Sequence, residues 1–212
     1  MILSRCFGNG GGEAPATVAV VRNVTIGRQV RLDPLAWRRL SGGAFTLDRD
    51  TLEITAQGLI RLDDGSHVHR FYTDDDLMLQ AVSQSADGSD ADDFTLFRPW
   101  SSTYPTNWAD QGAFTRRMSQ PVWDEAGLPG FHRYWYAGDD RPQPPVELWE
   151  AVYHDRAGPP VRHIRQTCML YGRDLSPEGS ELLLALAMQP EGGDLTHEIM
   201  IGLPLLPAEF QA

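Results

Sequence analysis

A chain of 212 residues with 42% hydrophobic content makes one domain or two small ones, and can bury about 70% of its unfolded surface. Its 18 basic residues, all Arg, are outweighed by 29 acidic ones, for a formal charge of −11. The missing Lys excludes a Lys Schiff base and a P-loop lysine, and the acidic balance opposes general binding to nucleic acid or an anionic membrane.

Two cysteines, Cys6 and Cys168, stand far apart without a CxxC, which excludes a zinc ribbon and a thioredoxin-like site. So sparse a count suits a reducing compartment, and a cytoplasmic location is the expectation. Residues 1–16 read as a flexible lead-in. Its run Gly8-Asn9-Gly10-Gly11-Gly12 has no strand before it and no Gly-Lys-Ser/Thr after it, so it is a spacer and not a phosphate loop. Leu3-Ser4-Arg5-Cys6 has the outline of a lipoprotein box, but Arg5 and the lack of an apolar stretch oppose that reading. No run approaches the ~18 apolar residues of a membrane-spanning helix.

Residues 17–212 read as a single β-rich domain. Asp33-Pro34 is an N-cap followed by proline at the first helical position, which predicts a short helix through Leu40. Strands are predicted at Thr51–Ala56, Val68–Tyr72, Leu77–Val82 and Phe94–Phe97 from alternation and β-branched or aromatic content. A second helix runs from a Thr106 cap to Met118. Further strands follow at Phe131–Tyr136, Val146–His154, Val161–Tyr171, Ser180–Met188 and Leu195–Leu203. Ser180–Met188 is Leu-rich and would also suit a buried helix; the hairpin-like spacing to the next segment favours strand. Asp63-Asp64-Gly65-Ser66 and Pro190-Glu191-Gly192-Gly193-Asp194 are hairpin turn signals.

The chain also carries an internal similarity. His69-Arg70-Phe71-Tyr72-Thr73-Asp74-Asp75-Asp76 recurs as His132-Arg133-Tyr134-Trp135-Tyr136-Ala137-Gly138-Asp139-Asp140, with Gly58-Leu59 matching Gly127-Leu128 upstream and Leu79–Val82 matching Trp149–Val152 downstream. The period is about 65–70 residues, with copies at about 51–103 and 122–176. The expected fold is therefore mainly β, an α+β chain with few short helices. Two similar antiparallel β-meander halves would form a barrel- or sandwich-like domain. His69, Arg70, Tyr72, Asp75 and Asp76, with His132, Arg133, Trp135, Asp139 and Asp140, are the repeat motif. Each Arg is expected to clamp its strand to the acidic turn that follows.

The stretch from Gly58 to Ser66, with His69–Asp76 and Leu79-Gln80, resembles the YjfK-like family, a bacterial domain of unknown function. The resemblance runs from about Val24 to Leu206 and lends no catalytic residues. It implies an accessory role near the envelope, beside phage-shock-A-like coiled-coil proteins.

Several residues could carry chemistry, and each has a plainer reading. His67-x-His69 places two imidazoles on one strand face, a spacing able to hold a metal, and the acids that follow make it cupin-like. The second copy keeps only His132, so solvated histidines near a turn are the preferred reading and no metal is assigned. Asp74-Asp75-Asp76 and the acidic run 87–93 lack the order of a calcium loop and read as solvated turns. Glu147 and Glu150 fall on opposite faces of a strand, which does not suit an acid–base pair. Cys168 reads as a buried structural thiol. Trp100, Trp108, Arg116 and Arg117 fall in an aromatic, Arg-bearing middle whose residue types are those enriched at protein interfaces.

The expected function is a non-catalytic protein-interaction module in an envelope-stress-linked pathway. It would need no cofactor and would act on a protein partner, for which the resemblance implies a phage-shock-A-like coiled coil. The alternatives are a metal-dependent, cupin-like barrel enzyme using His67 and His69, and a small-ligand binding β-domain with an aromatic cleft between the halves.

Overall fold

The computed structural model describes residues 17–38, 43–176 and 179–212. The lead-in over residues 1–16, with Cys6, and the Leu40 end of the first helix lie outside them. In chain order the strands are β1 (Gln29–Leu32), β2 (Thr51–Arg61), β3 (His67–Thr73), β4 (Met78–Ser83), β5 (Asp93–Thr103), β6 (Val122–Glu125), β7 (Leu128–Arg133), β8 (Val146–Tyr153), β9 (Arg162–Ser176), β10 (Gly179–Pro190), β11 (Thr196–Leu205) and β12 (Phe210–Gln211). Helix α1 (Leu35–Arg38) follows β1, helix α2 (Trp108–Met118) follows β5, and a 3-10 turn spans Pro207–Glu209.

Eight of these strands close into an antiparallel barrel, in the order β2-β3-β4-β5-β11-β10-β9-β8. The seam is the pairing of β8 with β2, from Gln57 opposite Tyr153 to Ile60 opposite Glu150. Closure removes the exposed edges that an open sheet would carry. Two long strands reach beyond the barrel and hold flanking ribbons. The start of β2 pairs β1, which pairs β12, and the far end of β9 pairs β7, which pairs β6.

Local chemistry explains the main turns. Between β2 and β3, Gly65 takes φ 84° while the Asp64 carboxylate accepts from Ser66 N at 2.9 Å, so the predicted hairpin forms. Pro190–Asp194 likewise joins β10 to β11, and Ser180–Met188 lies within strand β10 as expected. Helix α2 is capped by Asn107 and not by Thr106. The Asn107 side-chain oxygen accepts from Ala109 N and Asp110 N at 2.8 and 3.0 Å, while Thr106 Oγ1 donates to the Asp110 carboxylate. The strand expected over Phe131–Tyr136 is displaced: β7 starts at Leu128 and stops at Arg133, because the chain turns away with Tyr136 at φ 60°.

The two similar segments are not structurally equivalent. In the first, β3 and β4 pair directly; in the second, β7 and β8 do not pair with each other but lie along different stretches of β9. Their facing is also reversed. Arg70 lies opposite Gly58 and Gln80 on the lumenal face, whereas Arg133 lies opposite Tyr171, whose hydroxyl donates outward to Met118 O of α2 at 2.7 Å. The barrel is built from two four-stranded antiparallel meanders, β2–β5 and β8–β11, joined at β5–β11 and β2–β8, but the two similar segments do not occupy matching places in them.

Candidate site in the barrel lumen

Strand alternation aims Val146, Leu148, Glu150 and Val152 of β8 into the barrel and sends Glu147 outward to an exposed ion pair with Arg165 at 3.0 Å. On β9 the inward series is Ile164, Gln166, Cys168 and Leu170. Glu150 and Gln166 are thus polar residues in apolar rows, and both are fully buried. A third polar group reaches them from β3. Arg70, 2% exposed, donates from Nη1 to Glu150 Oε2 at 3.0 Å and to Gln166 Oε1 at 2.6 Å, and from Nε to Gln80 Oε1 at 3.0 Å. Tyr72 OH donates to Glu150 Oε1 at 2.6 Å, and Gln166 Nε2 donates to Glu150 Oε2.

Small residues make room for this centre. A Cβ on Gly58 would fall 1.7 Å from Glu150 Oε1, so the carboxylate occupies the space a side chain on β2 would take. Gly202 on β11 does the same for Phe97, whose ring would lie 2.6 Å from an added Cβ.

The electrostatics follow from burial. Burial alone pulls the Arg70 pKa down, but the Glu150 carboxylate overrides it and holds the pKa raised. Burial, then the Glu150 charge, pushes Tyr72 well above its ordinary value. Burial pushes the Cys168 thiol up to about 12, which makes it an inert, structural thiol as the sequence suggests.

Next to the polar centre the lumen holds a cavity of about 160 Å³. Arg70 and Gln80 lie on its wall with Val82, Phe97, Trp135 and Leu184. Of the repeat-motif residues, the lumen therefore gathers Arg70, Tyr72 and Trp135. The others go elsewhere. Asp74 and Asp75 both pair with Arg49, the latter at 2.9 Å, and Asp76 takes a left-handed φ of 63° in the turn. Arg133 clamps the loop after β7, but through the backbone carbonyls of Ser119, Asp139 and Arg141, while the Asp139 carboxylate pairs with Arg141 at 3.1 Å. The expected Arg70 clamp to Asp75 and Asp76 is thus replaced by a partner on β8. His132 and Asp140 are exposed.

His67 and His69 lie on the outer face of β3, with ring centroids 6.4 Å apart. Among the described residues, no group of three or more His, Cys, Asp or Glu side chains could hold a metal ion. In the aromatic middle, Trp100, Tyr104 and Trp108 are 38%, 70% and 86% exposed. Arg116 is exposed, but Arg117 lies 3.8 Å over the Trp123 ring and pairs with Glu125 at 3.0 Å. No helix among the described residues is long and apolar enough to cross a membrane.

Fold and interior together define a closed antiparallel β-barrel with a buried ionic centre beside a ligand-sized lumen. The chain belongs to the family described as "Protein of unknown function (DUF2491)", whose model matches residues 2–211. No curated protein and no solved structure matches it.

Proposed function

We propose that the chain is a binding protein for a small, uncharged molecule held in the barrel lumen. The observation that carries this reading is the cavity of about 160 Å³ with the Arg70 guanidinium on its wall. An apolar cavity of roughly 150 Å³ is enough to hold benzene. The Arg70 charge is already balanced by Glu150, so a ligand carboxylate would add an unpaired buried charge; a carbonyl or hydroxyl would not. Binding is favoured over catalysis at Glu150 because both of its oxygens are taken, Oε1 by Tyr72 and Oε2 by Arg70 and Gln166.

Thermal-shift titration with benzamide, benzene and benzoate tests this. Benzamide should raise the melting temperature most and benzoate least, and Val82→Phe, which fills the cavity, should abolish the response. Equal responses in Val82→Phe and the parent protein, or none in either, would overturn the reading.

The exposure of Tyr104 and Trp108, four residues apart on the loop and start of α2, favours a second role in protein docking. The YjfK-like resemblance makes a phage-shock-A-like coiled coil, in an envelope-stress-linked setting, the partner to try. Purified coiled-coil protein should be retained by the parent chain and lost by Tyr104→Ala/Trp108→Ala; equal retention by both would remove this surface.

A further inference from the structure

Strand β3 uses one face for the lumen and hides an unsatisfied group on the other. His69 is 0% exposed, and neither ring nitrogen makes a hydrogen bond of ordinary geometry. A buried polar group left in that state costs about 1–3 kcal/mol, and proteins generally meet the deficit with a water or a ligand. Space for one is present. A second cavity, of about 240 Å³, lies outside the barrel wall and is bounded by Val18, Ala19, Leu59, His69, Ala86 and Asp87.

The walls of this cavity are tied down. Val18 N donates to Arg156 O at 3.0 Å, and Gln57 Nε2 donates to Ala19 O at 3.0 Å, which ties residues 17–19 to β2 and to the loop after β8. The Gln57 side-chain oxygen accepts from Thr25, so its amide is engaged at both ends and is not available to His69.

The ionisable groups facing the space, His69 and Asp87, both offer acceptors. Burial, reinforced by the neighbouring His67, brings the His69 pKa down to about 4, so the imidazole is neutral at pH 7 and has one N–H and one bare lone pair. The Ser85 backbone opposes that fall. Asp87 and Asp90 are the acids acting on the ring. Asp87 stays ionised because Ser89 N donates to it at 3.0 Å, and it lines the cavity. An anion would meet a carboxylate and a lone pair here. A donor group on an aliphatic body would meet both, with Val18, Ala19 and Leu59 around its chain.

We propose that this cavity is a binding site for a small aliphatic primary amine, with its ammonium group between the His69 ring and the Asp87 carboxylate. The site is independent of the lumenal one, since β3 separates them.

The test is a titration of uniformly ¹⁵N-labelled full-length protein with n-butylammonium chloride at neutral pH and constant chloride, read from the His69 ring nitrogens. Butan-1-ol and sodium butyrate are the comparison probes. Butylammonium should shift the His69 signals saturably, butyrate should leave them in place, and butan-1-ol should bind more weakly. Asp87→Asn should weaken butylammonium binding by roughly tenfold. Ala86→Leu fills the same cavity and keeps His69, so it should abolish binding even if His69→Phe fails to fold. Val82→Phe in the lumen should leave the response unchanged. Absence of any shift, meaning a cavity that holds only water, would overturn the proposal, as would equal shifts with butyrate.

Discussion

Adding a single methyl group at Gly58 should destabilise the protein more than most core truncations do. The new Cβ would lie 1.7 Å from Glu150 Oε1 and 2.7 Å from its Cδ. The backbone cannot retreat, because Gly58 is paired on both sides, with Arg70 on β3 and Val152 on β8. The carboxylate must move instead. It then loses the bonds from Tyr72 at 2.6 Å and Arg70 at 3.0 Å, and leaves a guanidinium that is 2% exposed with only neutral partners. Displacing one member of a buried ion pair costs about 3–5 kcal/mol. That is a large part of the roughly 5–15 kcal/mol that holds a domain folded. Urea denaturation followed by the fluorescence of buried Trp123 and Trp135 measures it. Glu150→Ala should cost a similar amount, and Gly58→Ala/Glu150→Ala should cost little more than Glu150→Ala alone, since the methyl fills vacated space. Additive costs, or a loss below about 1 kcal/mol for Gly58→Ala, would show that the carboxylate is not held where the geometry puts it.

Two further outcomes are expected. The His69 pKa is lowered from 6.5 to about 4 on folding, so between these values the unfolded chain binds a proton that the folded chain refuses. Stability should therefore fall as pH drops from 6.5 toward 4 and level off below, by about 3 kcal/mol from this group; His69→Phe should flatten that slope in denaturant midpoints measured across the window, and an unchanged slope would refute the assignment. Arg133→Ala removes a guanidinium that bonds three carbonyls, and should lower the melting temperature by about 5 °C or more, with faster amide exchange confined to residues 134–145.

Much of the wall was legible along the chain. Alternation and turn residues located the strands from Val68 to Leu203, and alternation alone separated Glu147 from Glu150. The ionic centre was harder to read because Arg70 and Glu150 stand 80 residues apart and meet only when the barrel closes. The signal was present in phase: Glu150 falls between inward Leu148 and Val152, Gln166 between Ile164 and Cys168, and Gly58 interrupts a strand pattern where another group must approach. The internal similarity pointed the wrong way. His-Arg-aromatic-aromatic is a short pattern that many strand ends can satisfy, and it contains nothing that fixes facing. Strand partners fix it, and they turn Arg70 inward and Arg133 outward. The short strands β1 and β6 escaped notice because four-residue ribbons draw their stability from the strands they are added to.

The seam between β2 and β8 also orders events during synthesis. Strands β2 to β5 emerge first as a four-stranded sheet, yet β2 finds its closing partner only in β8 and β5 only in β11. Such distant pairings make for slow folding. Until they form, both sheet edges stay open and the Arg70 guanidinium stays in water. A slip of one residue in β8 would turn Trp149 or Ala151 inward in place of Glu150 and strand the Arg70 charge in an apolar interior. The pair thus penalises every odd-numbered slip of the seam, so that misregistered barrels reopen and only the matched one persists.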